Sequence, residues 1–121
     1  MSRDERKEQI ASAVEAHVNW KMWLKRMALR KTTDVSVEKI SDSSSCPFGK
    51  WLASAKFAED ERDLVREVVQ LHDGFHSEAG RVAEMIRLGQ FEEALEALET
   101  GPYAQKSDAL KERLMDWQLG L

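Results

Sequence analysis

Apolar residues recur every three or four positions through most of the chain, a spacing that predicts amphipathic helices. No segment alternates apolar and polar residues with a period of two, so no strand is predicted. The first helix is expected to begin near Asp4 and to run for about 25 residues. The positions on its inward face are Ile10, Val14, His17, Lys21, Leu24 and Ala28.

The chain changes character after the first helix. Residues 32–45, with the sequence TTDVSVEKISDSSS, are rich in β-branched residues and serine and lack helical periodicity, so they are predicted to form a connection. A short helix of two or three turns is then predicted to begin at Pro47, because proline suits the first helical position. Its apolar side consists of Phe48, Trp51, Leu52 and Ala55.

The strongest helical pattern extends from about Asp60 to Leu88, and Gly89 ends it. Another helix begins at Phe91, and the pair Gly101–Pro102 breaks or kinks it before the apolar pattern continues. Three long helices, one short helix and short turns predict an all-α fold. We expect an antiparallel four-helix bundle to which the short helix that bears the cysteine is added.

The chain has 121 residues, the length of a single domain, so residues 1–121 are expected to form one domain. With 42% apolar and 33% charged residues it can build one soluble core, which argues against collagenous, disordered and disulfide-stapled classes. Leucine, methionine and tryptophan residues beyond the needs of so small a core favour a homodimer.

The distribution of charge bears on the partners. The 18 lysine and arginine residues are spread among 22 acidic residues and the net charge is −4, so nucleic acid is not an expected partner. A single cysteine cannot form an internal disulfide. No basic flank precedes an uninterrupted apolar run, so neither a signal peptide nor a membrane span is predicted, and the expected location is the cytoplasm.

The three histidines and the cysteine are the residues with candidate chemistry. His17 replaces an apolar residue on the inward face of the first helix, and His72 and His76 share one side of a later helix, where both can bind one ion. Cys46 immediately precedes the short helix. A single buried histidine is usually a core residue with a hydrogen-bonded partner. Three buried histidines in one small core would each need a hydrogen-bonding partner, and a single zinc ion could serve all three. Two interpretations therefore remain open. The three histidines and the cysteine form one tetrahedral metal site, or the histidines are separate core residues.

Two kinds of metalloenzyme are disfavoured. The helix carries HDGFH where zinc proteases have HExxH, so the glutamate that serves as their general base is missing. A di-iron bundle needs inward glutamates and Glu-x-x-His pairs, and only Asp73-x-x-His76 approaches that pattern. A zinc site filled by four protein ligands also has no open position for a substrate. The chain is therefore not expected to be an enzyme.

Three motifs resemble a known family when taken together. HVNW from His17, CPFGKW from Cys46 and LHDGFH from Leu71 are similar, in order and spacing, to the HxxW, CxFGxW and LHxxxH motifs of the chemoreceptor zinc-binding domain. The resemblance covers nearly the whole chain. It implies that His17, Cys46, His72 and His76 bind one zinc ion, Zn²⁺, inside a dimeric four-helix bundle.

Members of this bacterial family are commonly attached to a cytoplasmic chemoreceptor or to a diguanylate cyclase, in which zinc or oxidation of the cysteine alters the output. The resemblance therefore implies a cytoplasmic sensory or regulatory domain for chemotaxis or cyclic-di-GMP signalling, acting on a signalling partner or a fused output domain. Zinc and the helix N-terminus both favour the thiolate form of Cys46, which is expected to be the most readily oxidised atom. The alternative is a helical adaptor in which zinc is only a structural staple.

Asp73 follows His72 directly and is therefore expected to point away from the imidazoles and into solvent.

Overall fold

The computed structural model describes residues 2–121, which form six α-helices and two short 3₁₀ turns. The helices are α1 (Arg3–Leu29), α2 (Val37–Ser41), α3 (Pro47–Ser54), α4 (Arg62–Arg87), α5 (Phe91–Glu99) and α6 (Pro102–Leu119). The 3₁₀ turns span Ser43–Ser45 and Glu59–Glu61. This part of the chain contains no strand, so the prediction of an all-α fold is confirmed.

Local signals in the sequence explain where the main helices begin. The hydroxyl of Ser2 accepts a hydrogen bond from the backbone N–H of Glu5 (3.1 Å) and so caps α1. Prolines occupy the first positions of α3 and α6, where a backbone N–H would have no helical partner. Gly101 precedes Pro102 with a φ of 82°, which separates α5 from α6 as predicted.

The prediction for residues 32–45 is wrong in part, because this segment contains α2 and a 3₁₀ turn. Ser36 caps α2 by accepting a hydrogen bond from the N–H of Lys39 (3.4 Å), and the side chain of Ile40 is buried in the core. A helix of five residues is too short for a periodic apolar pattern to show in the sequence.

The long helices enclose one apolar core. The end of α6 lies beside the beginnings of α1 and α4. Two hydrogen bonds join these ends: Gln118 donates to the carbonyl of Lys7 (3.3 Å), and Trp117 Nε1 donates to the carboxylate of Glu61 (3.3 Å). Each fully buried leucine, isoleucine or phenylalanine of this core contributes about 1.5–3 kcal/mol to stability. The most deeply buried aliphatic residues include Ile10, Leu24, Val68, Ile86, Leu98, Leu110 and Leu114.

The short helices α2 and α3 pack along α4 and bring the chain from the end of α1 to the centre of the molecule. Where α2 packs on Gly80 of α4, a Cβ atom added to that glycine would lie 2.9 Å from the Cβ of Ser41. Only glycine at this position lets the two helices come so close. None of the helices within residues 2–121 is both long and apolar enough to cross a membrane.

Candidate metal centre

His17 is the candidate metal ligand on α1. Its side chain is 5% exposed, and its Nδ1–H donates a hydrogen bond to the carbonyl of Ala13, one turn earlier (2.6 Å). This bond fixes the ring and places the proton on Nδ1, so the lone pair of Nε2 faces the core.

His72 and His76 lie one turn apart on the buried side of α4, and each is 1% exposed. Nδ1–H of His76 donates to the carbonyl of Ile40 in α2 (2.8 Å), which again leaves Nε2 as the atom with a free lone pair. That Nε2 is buried and has no hydrogen-bond partner within residues 2–121. Nothing in the sequence indicated Ile40, because a backbone carbonyl that orients a ring leaves no signature in the sequence.

Cys46 completes the group from the residue immediately before α3. Its Sγ lies 3.5 Å from Nε2 of His72, and the same Nε2 lies 3.1 Å from Nε2 of His17. One ligand atom from each of the four residues lies within 4.8 Å of the others, and all four residues are buried. The structure therefore brings together every residue that the sequence analysis singled out as a metal ligand.

The glycine of the CPFGKW motif has a steric role in placing the cysteine. A Cβ atom added to Gly49 would overlap the carbonyl oxygen of Ser43, and it would lie 2.9 Å from the carbonyl carbon of Ser43 and 3.2 Å from Cε1 of His72. Any larger residue at this position would push α3 away from the histidines. The motif therefore requires glycine here because of packing.

Aromatic side chains pack against the cluster on two sides. The ring of Phe48 meets that of His72 edge to face, with the centroids 5.2 Å apart, and it stacks on Trp51 at 5.7 Å. Phe75 contacts His17 from the other side, with the centroids 4.9 Å apart. A cavity of about 200 Å³ between α1 and α3 nevertheless reaches Cys46, and the small side chains of Ser12, Ala13 and Ala16 line it.

Burial controls the protonation of the histidines. It lowers the pKa of His17 from 6.5 to about 4, although the hydrogen bond to Ala13 opposes the change. Burial also lowers the pKa of His72, and the neighbouring His17 and His76 add to the effect, so that the value falls to about 3. The pKa of His76 is lowered by burial as well. All three rings are therefore neutral at pH 7, the form in which imidazole binds metal.

Asp73 is exposed and forms no hydrogen bond to an imidazole, so the expectation that its side chain faces solvent is confirmed. Its Oδ1 accepts a hydrogen bond from the hydroxyl of Ser43 (2.5 Å), in the turn that leads to Cys46. The connection folds back along α4 and places this hydroxyl beside the carboxylate, a contact that the sequence did not indicate.

The donor set fits zinc. Lone pairs of neutral imidazoles and the sulfur of Cys46 converge on one buried point, where they repel one another unless a proton or a cation lies between them. Imidazole nitrogen and cysteine sulfur are the ligand atoms that tetrahedral zinc most often has in proteins. Among residues 2–121, the cluster includes no carboxylate, so it does not match the carboxylate-rich sites of di-iron proteins.

Comparison with known proteins places these residues in a family. The sequence profile of the chemoreceptor zinc-binding domain matches residues 17–83, more than half of the chain, and this span includes all four residues of the cluster. Residues 1–16 and 84–121 lie outside the match, which is therefore shorter than the resemblance in the motifs implied. No significant match was found among curated proteins or among solved structures. The chain belongs to the chemoreceptor zinc-binding domain family.

Proposed function

We propose that the protein is a zinc-binding sensory or regulatory domain in which His17, Cys46, His72 and His76 hold one zinc ion. The observation that supports this most strongly is the convergence of one ligand atom from each residue to within 4.8 Å in the core. When bound, zinc supplies the positive charge that a thiolate and three lone pairs require in a tetrahedral site. A site with four protein ligands has no position for a substrate, so we propose no enzymatic activity.

The ligands are anchored unequally, and this supports a role in sensing. The histidines belong to α1 and α4, helices of 27 and 26 residues, whereas Cys46 precedes an eight-residue helix. A change at the cysteine therefore acts first on the position of α3. Zinc transmits a signal only if it binds one arrangement of α3 more tightly than the other, because a ligand with equal affinity for both shifts no equilibrium.

Oxidation of Cys46 is the second input that we propose. A peroxide transfers one oxygen atom to the thiolate, so that a sulfenate forms and the peroxide is reduced to water. The cavity of about 200 Å³ beside Cys46 supports this role, because it gives a small oxidant a route to the sulfur. The sulfenate no longer offers the thiolate ligand, so oxidation weakens metal binding.

We propose that the output is chemotaxis or cyclic-di-GMP signalling in the cytoplasm, through a chemoreceptor or a diguanylate cyclase that is either fused or a separate partner. The family membership supports this assignment. We also propose that the domain works as a homodimer and that its helices complete an antiparallel four-helix bundle. The exposed side chains of Met22 and Leu29 on α1, 59% and 61% accessible, support association with a second copy. Sedimentation equilibrium gives the oligomeric state, and a strictly monomeric protein at high concentration would contradict the dimer.

Hydrogen exchange, compared between zinc-loaded and chelator-treated protein, tests the sensory role. We expect removal of zinc to accelerate exchange in residues 41–56 while the amides in the middle of α4 keep their protection. Cys46→Ala provides the matched control, because it lacks the ligand of this segment and should exchange like the chelated protein in both conditions. Identical exchange patterns with and without zinc would contradict the sensory role.

The burial of all four cluster residues also favours a second function, that of a helical adaptor in which zinc is a structural staple. In that case folding and metal binding are coupled throughout the domain. Chelation would then remove protection from α1, α4 and α6 together and would produce a cooperative loss of helical circular dichroism at 25 °C. Measurements on the same samples therefore distinguish a structural role of zinc from a sensory one.

A further inference from the structure

The chain from α2 to the start of α3 follows α4 closely. It contacts α4 at three successive turns: Ser41 packs against Gly80, the carbonyl of Ile40 accepts from His76, and the hydroxyl of Ser43 donates to Asp73. The contact between Ser43 and Asp73 is the one nearest to Cys46 along the chain. It joins residues that are 30 positions apart.

Ser43 is also the residue that determines where Cys46 lies. Its carbonyl accepts a hydrogen bond from the backbone N–H of Cys46 (3.4 Å), which closes the 3₁₀ turn. The same carbonyl is the group against which Gly49 of α3 packs. A displacement of Ser43 from α4 therefore moves both the cysteine and the first turn of α3.

We propose that Asp73 is a positioning residue, whose hydrogen bond with Ser43 holds the Cys46 segment on α4 and slows the departure of the thiol from the three histidines. The proposal deepens the proposed function and rests on it for the metal, since the departing thiol would be a zinc ligand. The bond itself is a property of the chain without any metal.

Cys46 itself meets α4 through its Sγ, 3.5 Å from Nε2 of His72, and this is the contact that breaks when the thiol departs. The remaining hydrogen bonds of the segment do not hold the residues next to Cys46 on α4. Ser44 bonds only to Asp42, which belongs to the same turn, and Ser45 bonds to the carbonyls of Lys39 and Asp42. These bonds maintain the shape of the turn without attaching it to α4. The contact of Ile40 with His76 attaches the segment to α4, but it does so six residues before Cys46. The bond to Asp73 is therefore expected to govern local opening at the cysteine.

The rate at which Cys46 reacts with a bulky aromatic disulfide reagent in chelator-treated full-length protein reports this opening. Cys46 is only 8% exposed, so we expect a bulky reagent to react mainly when the segment departs. We expect Asp73→Ala and Ser43→Ala each to accelerate the reaction about three- to tenfold, as the loss of one solvent-exposed hydrogen bond would. The double variant should react no faster than either single variant, because both changes remove the same bond.

Two further variants distinguish the effect of the hydrogen bond from that of the negative charge on Asp73 and from that of a general change in the 3₁₀ turn. Asp73→Asn keeps an oxygen that accepts from Ser43 and removes the negative charge, so its rate should stay within about twofold of the wild type. Ser44→Ala removes a hydroxyl from the same turn that makes no bond to α4, and its rate should also stay within about twofold.

Wild-type rates in both Asp73→Ala and Ser43→Ala would overturn the proposal, as would accelerations that multiply in the double variant. Acceleration in Asp73→Ala alone would also overturn it, because the carboxylate would then act through its charge. If the accelerations vanish when the variants are compared at equal distances below their melting temperatures, the bond is only a general stabiliser and the proposal fails. Zinc content of the wild type, measured separately, decides the proposed function, so the two failures are distinguishable.

Discussion

The Nε2 atoms of His17 and His72 lie 3.1 Å apart in the core, although the two residues are separated by 55 positions in the sequence. Both rings are neutral at pH 7, because burial lowers the pKa of His17 to about 4 and that of His72 to about 3. Two imidazole nitrogens held this close and out of water need a shared proton or a cation. The core thus keeps its ligands in the form that a metal requires.

Stability without metal should depend on pH. Because the pKa values of His17 and His72 in the folded chain lie below the unfolded value of 6.5, the unfolded chain binds more protons once the pH falls below about 6.5. The contribution of the neutral rings is therefore complete above pH 6.5 and is lost progressively as the pH falls through 4 towards 3. We expect the melting temperature of chelator-treated protein to fall by about 10 °C or more between pH 7.5 and pH 5.

Thermal melts in a chelating buffer check this dependence, and His72→Gln serves as the control. This variant cannot be protonated at position 72, so its melting temperature should fall less over the same pH range. A melting temperature of the wild type that does not change between pH 7.5 and pH 5 would contradict the role of burial.

Two glycines within helices should respond in opposite ways to the same substitution. Gly49→Ala forces a Cβ atom against the carbonyl of Ser43, so we expect a loss of about 2–4 kcal/mol of stability and weaker zinc binding. Gly74→Ala adds a Cβ atom that meets only the flexible side chain of Lys106, at 3.4 Å. The second variant should be neutral or gain up to about 1 kcal/mol, because alanine favours helix over glycine.

Urea denaturation of both variants, with and without zinc, gives these differences. Equal stabilities of Gly49→Ala and Gly74→Ala would show that α3 does not pack against Ser43 as described.

Trp117 should be important for stability at the end of the molecule where α6 meets α1 and α4. Its indole N–H donates to Glu61 (3.3 Å), and its ring lies 5.8 Å from that of Trp51 and is 3% exposed. Trp117→Phe loses the hydrogen bond and part of the buried surface, so we expect a destabilisation of about 1–3 kcal/mol.

The matched control is Trp23→Phe, because Trp23 is 36% exposed. Its melting temperature should change by no more than about 2 °C, whereas that of Trp117→Phe should fall by about 5 °C or more. Equal changes in the two variants would contradict the buried position of Trp117.

The long helices could be predicted from the sequence because each has several turns of apolar residues on one face. The break at Gly101 and Pro102 could also be predicted, since both residues oppose a continuous helix. The short helix α2 could not, because five residues show no periodicity and its stability comes from Ile40, which is buried against other helices. Propensity and spacing describe local preference, whereas this helix depends on tertiary packing.

The candidate site was predictable residue by residue only through the motifs. Spacing alone placed His72 and His76 on one side of a helix, and it said nothing of their distance from His17 or Cys46. The bond between Asp73 and Ser43 was missed because it depends on the path of the connection over α4. Such a contact can be recognised only once the fold is known, because nothing in the sequence near either residue indicates that the two are neighbours in space.

Zinc content tests the central claim most directly, when it is measured per chain by elemental analysis on protein purified without added metal. We predict about one zinc ion per chain in the wild type, strong depletion in His72→Ala and Cys46→Ala, and unchanged content in Lys50→Ala, whose side chain is exposed on α3. A wild type that holds no zinc even after reconstitution would contradict the account, and so would full occupancy in both ligand variants.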